Sequence, residues 1–300
     1  MFVAKDCAKM NTNPLGIRWK GFFFFLITFV LLFSFGFSRQ GMSIAQPLLH
    51  QGNYLLETWR FRDGKTVEGP RSIVYHTSSQ ERQALLVSKE AEQVLRTFEK
   101  RYHFRPEQPV PIFLFSDRRS LSDHFSWNKS QNATGIYFSG SIYLLSPEAW
   151  NETFPSAAHA PGKWARLFHE RGPLYHEIAH LYLDQTTRGN YPVWYTEAFA
   201  QWVEYQELGY EWVIPANRLA GQPLYTFDDL TKRFNQLPNQ ALAYRQSFLF
   251  LRSMAEKHSE SSLDNLHTRL SEGAPFSNAW RQVFGESPKE SYKQWQHQVK

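Results

Sequence analysis

His176-Glu177-Ile178-Ala179-His180 spaces two histidines four residues apart, and Glu197 follows seventeen positions after His180, inside Trp194-Tyr195-Thr196-Glu197-Ala198-Phe199-Ala200. On an α-helix, residues i and i+4 share one face about one turn apart, so both imidazoles can reach a common point. Glu197 reaches that point poorly from the same straight helix. The chain must end the first helix, turn, and bring a second helix back alongside it. Ile178, Ala179, Leu181, Phe199 and Ala200 surround the polar residues with apolar neighbours. Both helices are therefore expected to be buried, against the plainer reading of histidines and glutamates on solvated helix faces.

The rest of the chain supplies a frame for this helix pair. Ser72-Ile73-Val74-Tyr75-His76 reads as a strand, and Ser78 with Glu81 forms an S-x-x-E capping pattern. Ala84, Val87, Ala91, Val94, Leu95, Phe98 and Tyr102 then recur at helical spacing and define one buried stripe. Val110 to Phe115 is a short apolar strand, with Pro111 near its start or on a sheet edge. A short helix fits Leu121 to Trp127. Thr134 to Leu145 reads as two strands turning at Ser139-Gly140. Gly172-Pro173 opens the HEIAH helix, expected to end near Asp184 before a loop to Pro192; the second site helix then runs to a stop at Gly209. Beyond it the pattern is helical: Phe227–Phe234, Asn239–Lys257, Ser262–Ser271, an amphipathic stretch closed by Gly285, and a last helix capped at Ser287-Pro288-Lys289-Glu290. The expected fold class is α+β: a small mixed sheet with helices, the HExxH helix, and a helical C-terminal part.

The N-terminus carries a different signal. Gly21 to Ser38 (GFFFFLITFVLLFSFGFS) is an uncharged run, preceded by Lys5, Lys9, Arg18 and Lys20 and followed by Arg39. Its length is near the minimum for a spanning helix, and the basic residues on its N-terminal side put that side in the cytoplasm. The run is either an uncleaved signal anchor or part of a signal peptide cut after Ser43-Ile44-Ala45, which would leave the mature protein secreted; its length and the intervening Arg39 favour the anchor. The expected organisation is a cytoplasmic stretch at 1–20, a membrane segment at 21–38, a linker at 39–70 that holds a short strand or helix, and one folded domain at 71–300 outside the cytoplasm.

Charge and cysteine content narrow the classes further. Residues 1–40 hold five Lys/Arg and one acid, so they carry +4 of the net charge of +5. The remainder is close to neutral, which excludes a nucleic-acid surface as the reason for the high pI. The one cysteine, Cys7, precedes the apolar run, so the domain beyond it has no intramolecular disulfide and is held by packing.

His176, His180 and Glu197 match the donor set of a catalytic zinc, which takes three protein ligands and keeps one position for water. Glu177 falls beside the metal, where it can accept the proton of a zinc-activated water and return it to a leaving amine. The expected cofactor is one Zn²⁺ per chain. Three further residues carry weaker signals. Tyr244 is either an oxyanion donor or a packed core phenol, Asp184 is either an acceptor for an imidazole N–H or a surface charge, and His169 with Glu170 read as structural.

At HEIAH and WYTEAFA the chain resembles the gluzincins, the glutamate-ligated zinc peptidases, and most closely the peptidase MA-like group. The likeness runs from about residue 72 to the C-terminus and takes in TGIYFSGSIYLL and the closing FSNAWRQVFGESPKESYKQW, similar to that group's C-terminal helix pair. It implies that His176, His180 and Glu197 bind zinc, that Glu177 is the general base, and that the substrate is a peptide or protein. The W-x-x-E-x-F-A pattern is also similar to zinc aminopeptidases, but the Gly-x-Met-Glu-Asn strand with which those hold a free amine has no counterpart here, which argues against that specificity. The rival class is a binding module on a peptidase fold without turnover, capturing peptide or cell-envelope partners; the intact Glu177 argues against it.

Overall fold

The structure, a computed structural model, describes residues 39–125, 133–150 and 154–299. Residues 46–300 make one unit; of residues 1–45 only the start of the first helix is described. The apolar run 21–38 and its cytoplasmic flank lie outside the described residues. Among those described, no helix is long and apolar enough to cross a membrane.

Five strands form one mixed sheet: β1 (Lys65–Glu68), β2 (Ser72–His76), β3 (Val110–Phe115), β4 (Gly135–Phe138) and β5 (Ser141–Leu145). Their order is β1-β2-β3-β5-β4. The inner three are parallel, and β1 and β4 are antiparallel edges. A parallel β2–β3 pair requires a crossover, supplied by α2 (Glu81–Tyr102). Ala84, Val87, Ala91, Val94, Leu95 and Phe98 are all fully buried along it, so the predicted stripe is the face laid on the sheet. Val87, Val94, Leu95 and Phe98 each contribute about 1.5–3 kcal/mol of burial before entropy is counted, and the alanines less. The cap lies one residue earlier than S-x-x-E suggests: Thr77 pairs with Gln80, and a turn of 3₁₀ helix precedes α2.

Strand β3 is buried at every position because both faces of the sheet are covered. Ile112 and Leu114 face the core shared with α2, while Phe113 and Phe115 face a second cluster with Tyr143, Leu145 and Leu121 of α3 (Arg118–His124). Pro111 therefore opens a central strand and not an edge. The short helix ends at His124, and Trp127 lies outside the described residues.

The segment 39–70, read as a linker, is helix and strand. Its first part is α1 (Arg39–Arg60), and β1 pairs with β2. The length and docking of this helix escape the sequence pattern because α1 inverts it: it docks through Gln46, His50, Asn53 and Glu57 and exposes its leucines. The chain also contains α4 (Pro161–Arg171), which no periodicity reading anticipated. The C-terminal part is helical as expected: α5 (Leu174–Thr187), α6 (Val193–Leu208), α7 (Phe227–Arg233), α8 (Gln240–His258), α9 (Ser261–Ser271), α10 (Phe276–Phe284) and α11 (Pro288–Gln298). Gly209 closes α6 in the left-handed conformation, and Ser287 with Glu290 caps α11. The rings of Trp194, Phe250, Phe276 and Trp280 pack together, mostly tilted or edge to face, where α6, α8 and α10 meet.

Candidate metal centre

Helices α5 and α6 pack against each other and bring the predicted residues to one point. His176 Nε2 lies 3.4 Å from Glu197 Oε2, and His180 Nε2 lies 3.6 Å from the same oxygen. One donor atom from each residue falls within 4.8 Å of the others. A tetrahedral zinc with bonds of 2.0–2.1 Å separates its ligands by about 3.4 Å. The donor set and its spacing therefore fit a zinc ion. His176 and Glu197 keep side-chain exposures of 19% and 15%, so the point opens to solvent on one side while the helices close the other.

The far side of each imidazole is also held. His176 Nδ1 is 3.1 Å from Glu204 Oε2, and His180 Nδ1 is 2.7 Å from Thr196 Oγ1. A carboxylate only accepts, so His176 donates from Nδ1 to Glu204, and Nε2 is the ring atom that faces Glu197. Neither Glu204 nor Thr196 was singled out in the sequence. Glu204 sits seven residues after Glu197, two helical turns along the same face, and that periodicity was the available signal.

Asp184, weighed as a partner for an imidazole, meets neither histidine ring. It is buried, which also excludes a plain surface charge. It accepts from the Tyr137 hydroxyl and the Gln46 amide and lies 3.0 Å from His50 Nε2. His169 pairs with Glu90 at 2.6 Å, away from the ligand cluster, in keeping with a structural role. The Tyr244 hydroxyl donates to Glu197 while its ring packs against Phe234 and Trp212, so the phenol stands half-buried beside the site.

Glu177 sits between α5 and the edge strand β4. It accepts from the Tyr137 backbone N–H, and a Cβ built on Gly135 would stand 2.7 Å from Glu177 Oε1 and 2.6 Å from Pro173 Cβ. Only glycine allows the strand this close. The β4–β5 turn places Ser139 and Gly140 in succession in the left-handed region, as a tight hairpin requires. The Tyr137 ring lies over His180, with centroids 6.3 Å apart.

Burial pushes the Glu177 carboxyl up to about 7; the neighbouring His176 opposes this, and Glu197 and Glu204 add to it. Burial pushes His180 down to about 4, keeping it neutral and able to donate a lone pair. Burial works against the charged form of His176 too, but Glu204 and Glu197 outweigh it and hold this ring well above its usual range. Glu197 is held below the usual carboxylate range: burial is overcome by His180, His176 and the Tyr244 hydroxyl.

The model of the peptidase MA superfamily matches residues 90–300, more than two thirds of the chain. The chain belongs to that superfamily. No curated protein matches it. The superfamily match covers the C-terminal part of α2, strands β3 to β5, both site helices and the C-terminal helices, so membership and the α+β fold agree over the same stretch. A peptidase MA domain is a peptidase-like fold, and a His-His-Glu cluster suited to a metal lies within it.

Proposed function

We propose that this peptidase MA domain is a zinc-dependent peptidase that hydrolyses internal peptide bonds, anchored by residues 21–38 with the domain outside the cytoplasm. The observation that carries this reading is the convergence of His176 Nε2 and His180 Nε2 on Glu197, with Glu177 on the same helix and the opening between them facing solvent. When bound, zinc supplies Lewis acidity that stabilises negative charge developing on oxygen.

The chain's own residues do the rest. Glu204 and Thr196 hold the two rings in their donor orientation. Glu177, with its carboxyl near neutrality, takes the proton of the attacking water and passes it to the leaving amine. Tyr244, bonded to Glu197, is the hydroxyl nearest in role to an oxyanion donor. The edge strand β4 has one side unpaired by the sheet and gives an extended peptide a backbone to pair with. The absence of an amine-holding Gly-x-Met-Glu-Asn strand supports internal cleavage. The anchored, outside location rests on the 21–38 run and the lysines and arginine before it.

Metal analysis and peptidase assays test the reading together. Wild type should hold one zinc per chain, and His176→Ala should lose it. Glu177→Gln should keep its zinc and lose about 10²–10⁴-fold in hydrolysis of a mixed peptide library. Undiminished turnover in Glu177→Gln, or no stoichiometric zinc in wild type, would overturn the mechanism.

A further inference from the structure

Helix α1 has two unlike faces. At 100° per residue, Gln46, His50, Asn53, Tyr54 and Glu57 lie together, and Leu48, Leu49, Leu55, Leu56 and Trp59 fill an arc of ~120° on the other side. The first group is docked. Gln46 and His50 reach Asp184 at the end of α5, Asn53 donates to Tyr143 Oη at 3.0 Å, and buried Glu57 pairs with His124 at 3.1 Å and Arg60 at 2.8 Å. The second group is bare: Leu48 is 75% exposed, Leu49 53%, Leu55 58%, Leu56 46% and Trp59 62%. Five of the eleven large apolar side chains exposed among the described residues therefore lie on one helix face, while the others are scattered along the chain, as on any protein surface.

We propose that this outer face of α1 rests in the headgroup layer of a lipid bilayer, with the four leucines and Trp59 turned into the acyl boundary. Three observations favour lipid over other occupants. The uncharged run ends at Ser38, immediately before Arg39 opens α1, and Leu48 follows Ser38 by ten positions, so the stripe starts at most about 36 Å of chain from the end of the run. The stripe ends in Trp59 with the Arg62 guanidinium 4.7 Å over its ring, next to exposed Arg60. Leucine bordered by tryptophan and arginine is the chemistry of a helix lying at a membrane interface. A second copy is a poorer occupant, because these side chains offer roughly 600 Å² against about 800 Å² per partner in a stable dimer.

The consequence concerns the site. The docked face of α1 holds Asp184, and the Asn53 amide also reaches the carbonyls of Phe138 and Ser139 at the end of β4. The mouth of the cleft would then stand about one helix diameter, 10–12 Å, from the lipid. Peptide segments close to the bilayer surface are the substrates such a placement favours.

This inference rests on the anchored reading only for the nearness of the run, and the two can be tested apart. In the full-length chain, Cys7→Ser removes the single cysteine, and nitroxide labels are placed by Leu56→Cys, Leu85→Cys or Val30→Cys. The proteins are reconstituted in vesicles of phosphatidylethanolamine and phosphatidylglycerol. Collision with dissolved oxygen and with a water-soluble nickel chelate is then measured by spin resonance. The label at 56 should favour oxygen several-fold more than the label at 85, an equally bare site on α2. Chelate access at 56 equal to that at 85 overturns the proposal, whatever the label at 30 reports. Spin–spin broadening between labels at 56 also overturns it, in favour of a second copy. A label at 30 that sees only water, or that is lost with a cleaved leader, overturns the anchor while the label at 56 still decides the stripe.

Discussion

At the residue scale the centre is built in two layers, and the outer one is testable by itself. Glu204 meets the ring nitrogen of His176 that faces away from Glu197, and so fixes the orientation of that ring. Truncating such a partner typically costs 10–100-fold in metal affinity. Glu204→Ala should therefore weaken zinc binding by about that factor in competition with a chelator, while Glu204→Gln, which keeps an accepting oxygen, should lose much less. Equal losses in the two variants would mean that the carboxylate acts through its charge. The same outer layer marks how far residue patterns could be read. His176, Glu177, His180 and Glu197 were legible because four-residue spacing on a helix is a geometric statement. Asp184 was legible only in part: a carboxylate one turn beyond His180 shares its face, but the imidazole it meets is that of His50, and only the position of Tyr137 and His50 shows where it is bonded.

At the scale of elements, the junction between β4 and α5 decides whether Glu177 is usable. The strand runs so close that Gly135 has no room for a methyl group, and it donates its Tyr137 N–H to the Glu177 carboxylate. In Gly135→Ala the new Cβ meets Pro173, which cannot swing away, and Glu177, which can. The expected outcome is a fall in kcat of about 10²-fold from displaced Glu177, with zinc content unchanged and stability lowered by about 1–3 kcal/mol. Steady-state kinetics beside metal analysis and a thermal melt check all three parts. The two strands and their turn at Ser139-Gly140 could be read from alternation and turn chemistry. That the first of them is the sheet edge lying against the HEIAH helix could not, since the pairing β3–β5 skips it.

Across the whole molecule, one buried histidine ties the site helices to the C-terminal helices. His267 of α9 lies 2.9 Å from the Tyr182 hydroxyl of α5 and 2.7 Å from the Tyr195 hydroxyl of α6. Burial pushes it down to about 3, so the folded protein keeps it neutral. In the unfolded chain an ordinary histidine titrates near 6.5. As pH falls below that value the unfolded state takes up the proton first, and stability drops until the folded-state value near 3 is passed. The loss should approach about 1.4 kcal/mol per pH unit within that window, as an upper bound for one group. Denaturant melts of wild type and His267→Gln from pH 7.5 to 4 should show a flatter pH dependence in the variant, despite its lower stability at pH 7.5. Parallel curves would show that His267 is not the acid-sensitive tie.

By itself the sequence determined the periodic features: the stripe of α2, the fully apolar β3, the capped α11, and a donor set whose spacing demands two adjacent helices. Each of these is a relation between residues close along the chain, where backbone geometry converts spacing into direction. Tertiary structure alone decided what those directions meet. It placed Glu204 behind His176, laid β4 against Glu177, clamped α5 and α6 through His267, and turned the expected linker into a helix that buries polar side chains and leaves leucines bare. The physical reason is the same in every case. Partners distant in sequence are chosen by packing and hydrogen-bond satisfaction in three dimensions, and no local period encodes that choice.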